Sequence, residues 1–310
     1  DKLIQDFSYA GYRRGEATIP ALAGPIFDVT AAPYNADPTG GSDSTAAIQA
    51  AIDAAAAAAA GGGVVYLPAG TYEIEPQGSN SYALWIASPD IVLRGAGVGQ
   101  TFLLNTSYTM RSKQVIKVAP ASTSTEPAVA LTADLDNPTR RIPVADAAAF
   151  AVGDKVRLEW TFTQGWIDEH GQGSYRTAPG TVPSPAQYLR EVTAVHTGAG
   201  WIEVDVPTRY TMKMRDDARV VKISGQLSGI GLEDFSIGNV QHHGSEWGST
   251  DYTNPGTSAY EVHNSFLISM QDSFDSWVDG PMGGATVLFE AATAVHSRHA
   301  LPGEVVAALR

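Results

Sequence analysis

The chain has 310 residues, no cysteine, 44% hydrophobic residues and a formal net charge of -13. That balance suits a folded chain with a sizeable core and rules out a disulfide framework. The negative charge argues against a broad nucleic-acid or anionic-membrane surface, and no apolar run approaches the ~18 residues of a membrane span, so neither partner is expected.

In chain order, residues 1–26 read as an N-terminal arm in which Phe7, Tyr9 and Tyr12 serve as packing residues. Asp43 then stands as an N-cap candidate before an apolar stripe of Ala46, Ala47, Ile48, Ala50, Ala51 and Ile52 at helical spacing. Gly61, Gly62 and Gly63 end that helix. Strand-like runs follow at 64–67, 83–86, 91–93, 102–104 and 115–118, and the 25 residues from Ile91 to Ile116 are a plausible coil length for a solenoid. The run Gly95-Ala96-Gly97-Val98-Gly99 imitates a phosphate-binding loop, but the segment after it is strand-like, so no helix N-terminus is there to cradle an anion. It reads as a turn.

Residues 121–140 are rich in Pro, Ser and Thr and read as a linker. From Ile142 the texture becomes β-rich with short turns, including the phrase GDKV at 153–156 and runs at 192–195 and 201–206. Residues 161–187 between its halves form a long loop carrying Trp166, Asp168, Glu169, His170, Tyr175 and Arg176, and loops of that length are usually functional or disordered. Solenoid texture resumes at Val220 and continues through 230–237, 266–270 and 272–278. Beyond Gly280 the chain is Ala-rich, with a short helix expected at 304–309.

The phrases DSTAAIQ (43–49), GGGVVYLPAGTY (61–72), IVLRGAG (91–97) and GLEDFSI (231–237) resemble the pectate-lyase-type right-handed parallel β-helix superfamily. The resemblance covers about residues 1–280. It implies an all-β fold: a right-handed parallel β-helix with an N-terminal capping helix and a small β-rich insert. The corresponding divisions are an arm at 1–26, capping helix and first coils at 27–140, an inserted β-rich subdomain at 141–211, further coils at 212–280, and a C-terminal cap or truncated end at 281–310. It also implies a secreted protein, in keeping with a chain that opens at Asp1 as if a leader had been removed, with a polysaccharide or oligosaccharide partner and a homo-oligomeric assembly. A polysaccharide lyase is the first expectation. The alternatives are a glycoside hydrolase, a non-catalytic carbohydrate-binding or tailspike-like solenoid, and an incomplete piece of a β-helix enzyme.

In lyases of this type the base is commonly Arg or Lys and the neutralising cation is Ca²⁺ held by carboxylates, which makes Ca²⁺ the implied cofactor. Hydrolysis needs two carboxyl groups about 5–9.5 Å apart. The polygalacturonase signatures are absent, and the pair Asp216-Asp217 reads as a solvated turn. The densest cluster of chemistry-bearing residues is HHGSEWGSTDY at 242–252, which interrupts two strands. His242 and His243 are the candidate bases or metal ligands, Glu246 and Asp251 the candidate catalytic carboxyls, and Trp247 and Tyr252 the stacking faces for sugar rings. His263, Asp272, Asp275 and Asp279 stand close behind in sequence. Trp166, on the long loop, and Arg209 are further substrate-binding candidates. Against these readings stands a plain one, an exposed polar loop with Asp residues closing turns. The adjacent histidines lack the spacing of a helical zinc site, and no nucleophile elbow supports Ser/His/Asp chemistry. Net charge leans toward a neutral substrate, whereas Arg209, Lys213 and Arg215 form a basic strip that would favour an anionic one.

Overall fold

The structure, a computed structural model, describes residues 9, 12–21, 24–58, 61–173, 185–240, 242–279, 287–290 and 295–297. The chain divides into two compact units, one comprising Ala10–Ala121 and Gln226–Arg310, the other Ser122–Gly225 together with Asp1–Tyr9.

In the first unit the chain winds repeatedly through three parallel sheets. The first sheet stacks Ile26–Asp28, Gly63–Leu67, Ile91–Gly95, Gly231–Glu233, Ser276–Asp279 and Val295–Ser297. The second stacks Thr39–Asp43, Gly70–Ile74, Thr101–Asn105 and Ser236–Asn239, and the third Tyr82–Ile86, Gln114–Val118, Phe266–Gln271 and Val287–Glu290. This is a right-handed parallel β-helix. Gly63 pairs with Ile91, so one coil takes 28 residues there. Ile91 and Ile116 lie on different sheets of one coil, so the 25-residue spacing seen in the sequence is not the repeat.

The strands form because their inward rows match from coil to coil. Leu84, Ile116 and Ile268 stand in register, as do Ile86, Val118 and Met270, and all six are fully buried. Each such side chain contributes about 1.5–3 kcal/mol relative to an exposed one. Tight corners between the first and second sheets set the register. A Cβ on Gly95 would lie 2.1 Å from the Asp234 carbonyl oxygen, so only glycine lets the two corners stack.

The helix Thr45–Ala56 follows the second-sheet strand of the first coil and buries Ile48, Ala51, Ile52 and Ala55 in the solenoid core. Its N-cap is Ser44, not Asp43. Asp43 instead sits one residue earlier and accepts hydrogen bonds from the Thr45 N–H at 3.0 Å and the Thr45 hydroxyl at 2.5 Å. The Gln49 amide accepts the Trp85 N–H at 2.8 Å and donates to the Trp85 carbonyl at 3.0 Å. One side chain thereby takes the hydrogen-bonding place of a strand beside the third sheet.

Part of the arm lies on the outer face of the first sheet. Tyr12 meets Trp277 edge-on at 5.6 Å and shares a buried cluster with Val64 and Val92, while Arg13 pairs with Asp275 at 3.3 Å. Gly231 makes room for the Trp277 indole, which a Cβ there would approach to 2.6 Å. Phe7, the expected helix at 304–309 and most of 281–310 lie outside the described residues.

The second unit is antiparallel. Its strands run in the order Val129–Ala130, Arg219–Ser224, Lys155–Trp160, Ala186–His196, Trp201–Val204 and Arg141–Pro143, with Ser124–Thr125 also pairing onto Arg219–Ser224. A bridge between Leu131 and Val144 joins the two ends of that order and closes the sheet into a small barrel. Val156, Leu158, Val192, Ile202, Val204, Met212 and Val220 fill it. The unit spans 122–225, where the sequence suggests 141–211, because the Pro/Ser/Thr-rich stretch supplies two short strands that pair with Arg219–Ser224. Arg190 is buried in this unit and donates to the carbonyls of Val206, Leu189 and Pro207 at 2.7, 2.6 and 3.0 Å. Burial pulls its pKa down to about 10.

Candidate functional site

In coils two, three and four the corner between the second and third sheets runs through residues 75–81, 106–113 and 240–265. The last of these is the 242–252 cluster with its flanks, and the corner of coil three anchors it at both ends. On entry, the Val240 N–H donates to the Asn105 carbonyl at 2.9 Å, and the buried Asn105 amide donates to the Asn239 Oδ1 at 3.0 Å. On exit, Ser112 donates to the His263 carbonyl at 3.1 Å and Phe266 to the Lys113 carbonyl at 3.0 Å. Arg111 ties down the middle. Its Nη1 donates to the carbonyls of Tyr252 at 2.8 Å and Tyr260 at 3.1 Å, and its guanidinium lies 3.7 Å from the Tyr260 ring centroid.

Within the excursion His242 is held from both sides. Its Nδ1 accepts the Gly244 N–H at 3.0 Å, which leaves the ring proton on Nε2, and Nε2 lies 2.7 Å from Glu261 Oε2. Glu261 belongs to the short helix Ser258–Val262, whose N-cap Thr257 accepts the Tyr260 N–H. Around the imidazole stand Tyr108 at 5.5 Å and Trp247 at 5.7 Å, both edge-on. The Trp247 indole N–H donates to the Gly244 carbonyl at 2.7 Å, which sets the ring's orientation. Tyr252 packs beside His263 at 4.8 Å. Trp247, Tyr108 and Tyr252 are 51%, 44% and 43% exposed, far too open for core aromatics, yet each is fixed by a named contact. Pre-oriented, half-open rings are what stacking on a sugar face requires.

The candidate catalytic groups divide into two pairs. His242 and Asp251 are used by the loop itself, since Asp251 accepts the Gly248 N–H at 2.6 Å. His243 and Glu246 are exposed, and their side chains make no hydrogen bond or ion pair with another described residue. Tyr108, Arg111, Tyr260 and Glu261 complete the cluster and escaped the sequence reading. Tyr108 and Arg111 belong to the preceding coil, and only the coil register, which no shared motif reveals, brings them beside the loop.

Trp166 and Arg209 belong to the barrel unit. Trp166 stacks on His170 at 3.9 Å, meets Phe162 at 4.4 Å and packs against the barrel core. Arg209 is half-buried beside Tyr188 and Arg190. Lys213 and Arg215 both bind Glu169, and these hydrogen bonds hold its carboxyl below the usual range. Two of the three cations of the expected basic strip are therefore engaged by Glu169. Asp216 is 1% exposed and accepts the Thr163 hydroxyl, so it is a buried brace where a solvated turn was expected. Tyr175 and Arg176 lie outside the described residues.

A separate outward row on the first sheet aligns Asp28, Tyr66, Arg94, Glu233 and Asp279. Burial pushes the Glu233 carboxyl up, against the opposing pull of Arg94 at 2.9 Å. Of the other sequence candidates, His263 is exposed, and Asp272 and Asp275 take left-handed turn conformations. Among the described residues no group of three or more His, Asp or Glu is arranged to hold a metal ion, so no step here is routed through Ca²⁺.

Residues 29–165 match the family model described as rhamnogalacturonase A/epimerase, pectate lyase-like. The matched segment, under half of the chain, is similar to that pectate-lyase-like family, and the strand order is that of a right-handed parallel β-helix. No curated protein matches the chain. Similar solved structures include the tailspike gp61 of Pseudomonas phage phi297, with 12% identity over 89% of this chain and 49% of that one, at a TM-score of 0.49. The gp54 tailspike of Acinetobacter baumannii bacteriophage AP22, solved with a capsular saccharide, has 11% identity over 85% and 40%, at 0.42. The A-module of the Azotobacter vinelandii mannuronan C-5 epimerase AlgE6 has 16% identity over 87% and 41%, at 0.33. The chain spans about half or less of the length of these proteins.

Proposed function

We propose that the chain is the polysaccharide-handling solenoid of a secreted carbohydrate-active protein, with its glycan surface on the stacked corners of coils three and four. The observation that carries this reading is the trio Tyr108, Trp247 and Tyr252, exposed but individually oriented on adjoining turns. Sugar rings would stack on these faces while Glu246, His243 and loop carbonyls accept their hydroxyls.

Of the two bond-cleaving chemistries, hydrolysis fits the local residues better than β-elimination. Elimination needs a base at the sugar C5 and a cation on the neighbouring carboxylate. The guanidinium in this cluster, Arg111, already binds two backbone carbonyls and a tyrosine ring. Hydrolysis needs carboxyl groups, and Glu246 and Asp251 stand on the same loop. A second reading, a glycan-binding solenoid without turnover, is favoured by the internal use of both His242 ring nitrogens and of Asp251.

A panel of purified polysaccharides, read in parallel for reducing ends and for the ultraviolet absorbance of unsaturated uronates, separates the three outcomes. New reducing ends alone mean hydrolysis, and ends with absorbance mean elimination. Binding with neither means a non-catalytic module. A well-folded protein that neither binds nor cuts any glycan would sink the proposal.

A further inference from the structure

We infer that the glycan taken by this surface is uncharged, a neutral hexose or N-acetylhexosamine polymer, not a uronate or sulfated one. The inference rests on the polysaccharide reading above and deepens it.

The excursion 240–265 contains Glu246, Asp251 and Glu261 and neither Lys nor Arg. Two cations stand on the turn below, Arg111 and Lys113. Arg111 is committed, with Nη1 shared between the Tyr252 and Tyr260 carbonyls and its face on the Tyr260 ring. Arg111 keeps its charge but its donors are taken, so three carboxylates face two cations, of which the half-buried Lys113 is the one left to meet an anionic ligand. His242 does not add to the positive side. Its Nδ1 accepts the Gly244 N–H, so the ring proton on Nε2 is the one it turns toward Glu261, and the pair keeps the negative charge of Glu261. The Glu246 carboxylate, exposed and without a partner among the described residues, is the one of the three charges that stands next to Trp247 in sequence.

A chain of uronates brings a carboxylate with every ring, within a Debye length of about 8 Å of this acidic wall at physiological salt. A neutral ring meets no such repulsion. Its C–H face stacks on Trp247 or Tyr252, and its hydroxyls donate to carboxylates, the stronger class of acceptor. The same carboxylates that repel a uronate therefore grip a neutral sugar.

The test compares polygalacturonate with its fully methyl-esterified form, a pair differing in charge but not in ring stereochemistry. Dextran, galactan, chitin oligosaccharides and alginate are measured beside them by affinity electrophoresis and calorimetry. At low salt the tightest neutral ligand is expected to bind about tenfold or more above any polyuronate, and the gap should narrow as salt is raised. Glu246→Gln should narrow it further at fixed salt without lowering the melting temperature. Tighter binding of polygalacturonate or alginate than of every neutral glycan overturns this inference and leaves the polysaccharide reading standing. Failure of every glycan to bind takes both down.

Discussion

Two corners of the same solenoid follow opposite rules. Between the first and second sheets, coils two, three and four turn through residues 68–69, 96–100 and 234–235, and backbone approaches backbone so closely that Gly95 has no room for a methyl group over Asp234. Between the second and third sheets the corners lengthen through 75–81 and 106–113 to 240–265, each resting on the one before. A stack fixes coil length only where neighbouring backbones touch. Where a corner swings outward, residues accumulate at little cost to the register, because loop closure grows slowly with length. The candidate site stands at the permissive corner.

This contrast can be broken most sharply at Gly95. Gly95→Ala forces the stacked corners apart and should cost about 2–4 kcal/mol, on the scale of overpacked or strained core positions. Chemical denaturation measures it. An unchanged midpoint would mean the tight corner is not what sets the register. A control for the barrel comes next: Asp216→Ala leaves the Thr163 hydroxyl and the Arg215 Nε without their acceptor, and should cost about 1–3 kcal/mol.

At the permissive corner the effects should move from stability to binding. Arg111→Ala releases the carbonyls of Tyr252 and Tyr260, with an expected loss of about 1–2 kcal/mol in glycan affinity and faster hydrogen exchange confined to 240–265. Exchange that speeds up through all coils would show instead that the loop supports the stack. Trp247→Ala should weaken glycan binding by about 1 kcal/mol and leave the melting temperature unchanged.

The smallest effect belongs to the first coil, whose corner 29–38 is longer and is shaped by side chains. Asp37 accepts hydrogen bonds from Thr39, Ser42 and Gly41, and these, led by the Thr39 hydroxyl, lower its pKa from 3.8 to about 2. A carboxyl with a depressed folded-state pKa favours the fold while ionised in both states. Its contribution is present above the unfolded value and is lost as pH falls from about 4 toward 2. Asp37→Asn should therefore flatten the acid limb of the stability profile over that window, and an identical limb in the variant would exclude the side chain from shaping this corner.

The same contrast explains what the sequence reveals. Runs such as 64–67 and 83–86 are legible as short apolar stretches bounded by turn residues, and the run 95–99 is legible as a turn because no helix follows it. The strands Ser124–Thr125 and Val129–Ala130 are not, since two residues carry no periodicity and the barrel alone gives them partners. The cluster 242–252 shows itself as polar chain between strand-like runs. What it does with its groups does not. His242 reads as a free base until Gly244 and Glu261 are seen on its two nitrogens, and Tyr108 and Arg111 join it from more than a hundred residues away in sequence through a register that leaves no motif.

The Gln49 amide has a consequence for how the molecule behaves in a crowd. A stack of in-register parallel strands is a template, and any uncovered edge invites another chain to extend it, as in fibril growth. With its carboxamide oxygen on the Trp85 N–H and its nitrogen on the Trp85 carbonyl, Gln49 occupies the donor and acceptor an incoming strand would need there. A single side chain on a helix thus denies the third sheet's edge a nucleation point at Trp85.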